Sequence, residues 1–299
     1  MGGCCGVVAK GDCVGDLFYA TDYHSHLGTH RGGMAVLGPD GFRRSIHNIQ
    51  NAPFRSKFEN NVVRFEGGVG IGVISDTDPQ PLVMFTRTGS FAIVTVGLLA
   101  NIEELKAELF ATSCVQLQYS TTSKMVGPTE VVSALIATKD SLVEGVKYVQ
   151  SRIRGSCSMI IVSGDGRLFA VRDRYGRTPV VIGRKDGAMI AVQESCALLN
   201  LGYEYVRDLG PGEMAELTPE GAKTLVEPGG EMAICSFLWV YYGFPASSYE
   251  GRNVEMARYR CGSALAKRDE FAPDVACGIP DSGTSHAPGY AHEKGVKDS

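Results

Sequence analysis

The sequence predicts an α+β fold. Short apolar segments outnumber helical ones. They come in clusters instead of alternating singly with helices, and glycine-rich turns separate them. Ser158–Val162, Leu168–Arg172, Val180–Gly183 and Met189–Val192 follow one another this way. At 299 residues, with 44% hydrophobic and 21% charged side chains, the chain has ordinary globular composition, which excludes disorder, collagen and coiled coil. A net charge of -4 provides no basic field for nucleic acid or an anionic membrane. No apolar run reaches the roughly 18 residues of a membrane span. Met1–Asp16 has no signal-peptide texture, and Gly6 stands where a myristoylation start needs Ser or Thr. A cytoplasmic protein is expected. Its nine cysteines form no CxxC pair and are read mainly as small buried apolar residues.

Gly6–Ala9 reads as a short buried strand, and Asp16–Gly28 as a helix with Leu17, Tyr19, Ala20 and Tyr23 available to one face. Met34–Leu37 runs into the turn Gly38-Pro39-Asp40-Gly41. Val69–Ile74 and Phe91–Val96 are further strands. Asn101, with Glu104 three residues on, is a capping signal for a helix over Asn101–Phe110. Helices follow at Thr129–Lys139 and Leu142–Arg154. Glu227–Glu231 reads as a linker, and the texture changes after it. Helix Asn253–Lys267, strand Val275–Ile279 and helix Ser285–Lys294 look like the opening of a parallel α/β unit. His24, His26 and His30 lie close together, but Gly28 and Thr29 interrupt a helical face, so capping or core hydrogen bonding is expected over metal binding. The basic residues of Arg167–Gly187 are expected to pair locally with Asp165, Asp173 and Asp186.

Several segments, in order, resemble the amidophosphoribosyltransferases. They are Cys5-Gly6-Val7-Val8, His30-Arg31-Gly32, the run Arg172–Pro179 (RDRYGRTP), Glu194–Leu198 and Val206–Glu213 (VRDLGPGE). Cys235–Tyr242 and Gly278-Ile279-Pro280-Asp281-Ser282-Gly283 continue the resemblance. It implies a four-layer αββα N-terminal-nucleophile glutaminase-like domain over residues 1–230. A linker and the N-terminal part of an α/β phosphoribosyltransferase domain would occupy 231–299. The implied reaction, in purine nucleotide biosynthesis, transfers an amine to phosphoribosyl pyrophosphate and gives phosphoribosylamine. The protein is expected to form a homo-oligomer.

In this family an N-terminal cysteine attacks the amide of glutamine, with its own α-amine as base. By resemblance the nucleophile is Cys5, which meets that requirement only after removal of Met1–Cys4. Otherwise Cys4 and Cys5 begin a buried strand. Arg31 matches a family arginine of the glutamine pocket, and Gly97 matches the glycine whose backbone N–H serves the oxyanion hole. Three other family groups are replaced. Ser75 stands for the arginine that grips the glutamine carboxylate, Val96 for the oxyanion-hole asparagine, and Pro128 for the aspartate that holds the α-amine. Losing one oxyanion donor alone costs about 100–1000-fold in rate. A glutaminase fold with little glutaminase activity is expected, its pocket made more apolar by Val96 and Ile74.

Pro280-Asp281-Ser282-Gly283 resembles the loop that wraps the pyrophosphate of phosphoribosyl pyrophosphate. The resemblance assigns substrate contact to Asp281, Ser282 and Gly283, and Mg²⁺ contact to Ser282. The family's Asp-Asp signature is not found before Ser299, so the transferase portion is expected to be incomplete and inactive alone. Some relatives ligate a [4Fe–4S] cluster at the position of Cys235, which is read here as a core residue. Two alternatives stay open: a non-catalytic scaffold or regulatory protein of this fold, and an active amidotransferase with a reorganised pocket.

Overall fold

The first strand, β1 (Gly2–Ala9), is hydrogen-bonded along both edges and buried on both faces. Side chains alternate across a strand, so Cys4 and Val8 face one apolar core while Cys5 and Val7 face another. A computed structural model describes residues 2–112, 117 and 126–299. The chain divides into two compact units. The first comprises the residues through Gln193 with Ala197–Ile234, and the second Glu194–Cys196 with Cys235–Ser299. A linear boundary at 230 does not anticipate the assignment of Glu194–Cys196 to the second unit.

In the first unit, β1 is central to a seven-stranded antiparallel sheet. Its other strands are β2 (Arg31–Gly38), β3 (Gly41–Asn48), β4 (Val69–Ser75), β9 (Val181–Lys185), β10 (Ala188–Val192) and β11 (Glu204–Asp208), in the order β11-β9-β10-β1-β4-β2-β3. A six-stranded sheet contains β5 (Leu82–Thr86), β6 (Gly89–Leu99), β7 (Gly155–Ser163), β8 (Leu168–Val171), β12 (Met214–Thr218) and β13 (Gly221–Val226), in the order β13-β12-β8-β7-β6-β5. The sheets pack face to face through residues such as Cys4, Ile71, Val94 and Ile160. Helices α1 (Val14–Asp22) and α2 (Phe54–Val62) cover the outer face of the first sheet. Helices α3 (Ile102–Thr112), α4 (Pro128–Ala137) and α5 (Leu142–Arg152) cover the outer face of the second. This is the αββα layering of an N-terminal-nucleophile fold.

Local signals explain most boundaries. Ser141 accepts the Glu144 amide hydrogen at 3.2 Å and starts α5. Gly41, at φ 102°, closes the β2–β3 hairpin. Two readings change. In α1 the inward residues are Val14, Leu17, Phe18, Ala20 and Thr21, with Tyr19 exposed. The helix begins two residues earlier than expected, and Val14 joins the buried stripe. Asn101 does not build a capping box for α3. Its side chain accepts from the Arg154 amide and donates to the Arg152 carbonyl, clamping the end of α5 before β7.

The RDRYGRTP segment is a folded loop. Arg172, fully buried, donates to the carbonyls of Thr178 (3.0 Å), Gly176 (2.8 Å) and Leu209. Asp173, also fully buried, accepts from the amides of Tyr175, Arg177 and Thr178 at 3.1–3.2 Å. It therefore binds backbone N–H groups and is not a salt-bridge partner of the neighbouring arginines, whereas Asp165 does pair with Arg167 at 3.0 Å. Arg207 grips Glu213 through two hydrogen bonds of 2.9 and 2.6 Å. Burial pushes the Glu213 carboxyl up, but the Arg207 fork and the Gly210 amide outweigh it and hold the group below its ordinary range.

In the second unit Glu194 accepts hydrogen bonds from Ser247 and Tyr249. Helix α6 (Cys196–Asn200) begins where the Cys196 amide meets the Ser247 hydroxyl. A short hairpin pairs β14 (Ser248–Tyr249) with β15 (Arg252–Asn253). Helix α7 (Val254–Ala266) is capped by Asn253. Its buried Arg258 donates to the carbonyls of Trp239, Tyr241 and Gly243 at 2.7–2.8 Å. Strand β16 (Val275–Ala276) pairs in parallel with β17 (Lys297–Asp298), with α8 (Ala287–Lys294) connecting them. The expected strand Val275–Ile279 ends at Ala276 because Gly278 already packs into the following loop.

Asp173→Ala removes the acceptor of three partly buried amides, and each lost hydrogen bond to a charged group costs about 1.5–3 kcal/mol or less. Urea unfolding is expected to show a loss of roughly 3 kcal/mol or more for the first unit.

Candidate active-site cleft and phosphate loop

A cleft of about 640 Å³ opens in the first unit, where the ends of β2, β4 and β6 meet the start of α3 and α4. Arg31, Gly97 and Pro128 line it, together with His30, Asp76 and Leu98. The tertiary structure therefore brings together three positions singled out in the sequence. Arg31 is half-buried, and its Nη1 lies 3.4 Å from the Thr77 carbonyl. Asp76 accepts from the amides of Thr29 (2.7 Å) and His30 (3.1 Å).

Cys5 does not line the cleft. It is fully buried three residues inside β1, paired with Gly72 on one side and Val192 on the other. Its Sγ lies 3.3 Å from Thr21 Oγ1, and burial pushes its thiol up to about 12. The resemblance points to Cys5 as nucleophile after removal of Met1–Cys4; with those residues in place its side chain is buried in the core.

Gly97 sits in β6 opposite Cys157, where a Cβ would come within 2.0 Å of the Ser156 carbonyl oxygen. The close approach of β6 and β7 accounts for glycine there. Val96 packs against the core between the sheets and Ile74 against the core beneath α1 and α2. Neither lines the cleft, contrary to the sequence expectation. Its apolar wall is instead Leu98, Leu99, Ile102 and Pro128. Val96 is covered by the packed sheets, whereas Leu98 lies at the end of β6 where that cover stops.

Behind the cleft lies a polar network that motif reading did not detect. Ser75, the replacement for the carboxylate-gripping arginine, is 3% exposed. Its Oγ accepts from the Thr77 amide at 3.2 Å and from Gln80 Nε2 at 3.4 Å. Asp78 accepts from Thr77 Oγ1 (2.8 Å), Gln80 Nε2 (3.0 Å) and the Thr129 amide in the first turn of α4 (3.0 Å). A carboxylate there completes the helix terminus, a contribution of about 0.3–1 kcal/mol. Gly127 accommodates it, since a Cβ would lie 2.6 Å from Asp78 Oδ2. Pro128 takes the first helical position, and the helix receives its acid from Asp78, 50 residues upstream by the numbering. Gln80 also bridges the sheets: Oε1 accepts from the Thr95 amide (2.7 Å) and Nε2 donates to the Thr95 carbonyl (3.1 Å).

His24 is a buried structural side chain. The Gln193 amide donates to Nε2 at 3.1 Å, which places the proton on Nδ1 facing the Ala20 carbonyl at 2.7 Å. Among the described residues, no three His, Cys, Asp or Glu side chains are grouped to hold a metal ion.

In the second unit, Asp281, Ser282 and Gly283 form a tight turn after β16. Gly283 donates its amide to the Ile279 carbonyl at 2.9 Å, and a Cβ on Gly278 would meet the Gly283 oxygen at 2.5 Å. Ser282 opens a 3₁₀ turn (Ser282–Ser285) leading into α8. Asp281 is exposed and Ser282 half-buried, and the two do not by themselves form a magnesium site. Cys235 is half-buried beside Tyr242, whose hydroxyl it helps to push up after the larger effect of burial; no cluster-forming group of cysteines accompanies it among the described residues. No helix among the described residues is long and apolar enough to cross a membrane.

Comparison with known proteins agrees with this geometry. Residues 69–200 match the glutamine amidotransferase domain family. The chain is 31% identical over 295 residues to an amidophosphoribosyltransferase of Methanocaldococcus jannaschii, covering 89% of this chain and 61% of that protein. It is 32% identical over 283 residues to one of Drosophila melanogaster, covering 84% of this chain and 50% of that protein. The solved glutamine phosphoribosylpyrophosphate amidotransferase of B. subtilis, complexed with ADP and GMP, superposes with a TM-score of 0.89 at 26% identity, over 99% of this chain and 65% of that one. The chain thus spans between half and about three-fifths of the length of the curated relatives it matches.

A thiol with a pKa of about 12 is ionised to about one part in ten thousand at pH 8. Iodoacetamide at that pH is expected to modify the exposed Cys261 and Cys277 and to spare Cys5 until the protein is unfolded, as read by peptide mass spectrometry.

Proposed function

We infer the role of this chain from its homology to the amidophosphoribosyltransferases, whose glutaminase-type fold it carries. It acts in amine transfer to phosphoribosyl pyrophosphate in purine nucleotide biosynthesis, without supplying the nitrogen by glutamine hydrolysis. Ammonia is then the amine it uses, free or produced by another protein. The observation that carries this reading is the position of Cys5: inside a doubly paired strand, fully buried, with a thiol pushed up to about 12.

The surroundings support the same reading. A glutamine substrate needs a cation for its carboxylate, an anion for its ammonium and donors for the oxyanion. Ser75 spends its hydroxyl on Thr77 and Gln80, and Asp78 spends its carboxylate on Thr77, Gln80 and Thr129. Val96 offers no side-chain donor. The Asp281–Gly283 turn, with its exposed carboxylate and compact backbone, suits one edge of a phosphoribosyl pyrophosphate site, and Ser282 is the residue that would face Mg²⁺ there. Magnesium supplies charge neutralisation of the pyrophosphate when bound. The protein's part is to hold the phosphate edge through loop amides at the start of the 3₁₀ turn.

The direct assay is ammonia and glutamate release from glutamine. The protein is expected to match the no-protein blank, with Cys5→Ala indistinguishable from it. Release that requires Cys5 would refute the reading.

A further inference from the structure

We propose that the cleft beside Arg31 binds a small monocarboxylate bearing a branched or aromatic apolar group, in place of glutamine. The proposal rests on the absence of glutaminase chemistry argued above and names what the same cleft takes instead.

At about 640 Å³ the cleft lies within the range of small-molecule sites. One side is polar, with the Arg31 cation among His30, Asn48, Gln50, Asp76 and Thr77. A guanidinium has five N–H donors, and the hydrogen bond of Arg31 within the protein is a single long one, 3.4 Å from Nη1 to the Thr77 carbonyl. No ion pair engages Arg31 among the described residues. The remaining donors suit the two oxygens of a carboxylate. The other side is Leu98, Leu99, Ile102 and Pro128. Leu98 is 71% exposed at the end of β6, an apolar side chain held in water inside a concave site. Covering it is worth about fourfold in affinity for each methylene buried.

This wall also selects against glutamine. A carboxamide placed against it finds no side-chain donor or acceptor and loses its hydration. Recognition of an α-ammonium group is weakly provided for. Asp78 is committed to α4, and the Asp76 carboxylate already receives the Thr29 and His30 amides. Carboxylate and apolar tail are therefore the features recognised. Two sources share that chemistry, a 2-oxo acid and an apolar amino acid.

The test is isothermal titration of the full chain with 4-methyl-2-oxopentanoate, leucine, glutamine and 4-methyl-2-pentanone. The oxo acid is expected to bind saturably, and the ketone, which lacks the carboxylate, at least about tenfold more weakly. Arg31→Gln and Leu98→Asp each weaken the oxo acid by about tenfold or more. Both side chains reach the surface, and unchanged circular dichroism and melting temperature separate lost binding from lost folding. Leucine binding as tightly as the oxo acid identifies the amino acid as the source, and weaker binding identifies the 2-oxo acid; both support the proposal. Binding of neither carboxylate, or binding indifferent to both substitutions, overturns it and leaves the functional reading standing. Glutamine bound in preference, with Cys5-dependent ammonia release, overturns both.

Discussion

A strand paired on both edges and buried on both faces leaves a reactive side chain only its ends. That constraint on β1 sets the surroundings of Cys5. The ladder continues through Gly2, Gly3 and Cys4 opposite Ser75, Ile74 and Val73, so Cys5 lies in the interior of the strand. Leaving Cys5 as a thiolate there would bury an unpaired charge, and its pKa rises accordingly. The residues ahead of it have little freedom. A Cβ on Gly2 would come within 2.5 Å of the Ile74 carbonyl oxygen, and one on Gly3 within 2.8 Å of His24. Glycines let this part of β1 lie flat against its neighbours.

Around that strand, polar side chains beside the cleft support the fold. Asp78 serves α4, Ser75 serves the turn at Thr77, and Gln80 ties the end of β4 to Thr95 of β6. These are buried, mutually satisfied hydrogen bonds, which rigidify a site when complete and are costly when broken. The network supports the cleft from behind, while Arg31 and Asp76 line it. The cleft lining combines the polar residues Arg31, Asn48, Gln50 and Asp76 with the leucines of β6.

The motifs that make the resemblance recognisable mostly do structural work. Arg172 and Asp173 fold their loop by binding carbonyls and amides, and Arg207 holds Glu213 under the β11–β12 connection. Such residues can persist when catalytic groups change, because their partners are backbone atoms whose positions the fold fixes. Fold and activity therefore need separate arguments in this chain. In the second unit the parallel β16–β17 pair and its connecting helix carry the architecture, and the Asp281–Gly283 turn lies between β16 and that helix.

Sequence alone determined the α+β class, the order of most strands and helices, and the candidate residues Arg31, Gly97, Asp281, Ser282 and Gly283. Those features follow from local periodicity, turn residues and ordered motifs, all of which depend on neighbours along the chain. Tertiary structure alone decided that Cys5 is core and not cleft, that Val96 is covered while Leu98 lines the cleft, and that Asp78 supplies the acid at the start of α4. Each of those outcomes depends on what covers a side chain, or on a hydrogen bond between residues far apart in sequence. The physical reason is that burial and pairing are set by what packs against a residue from elsewhere in the chain.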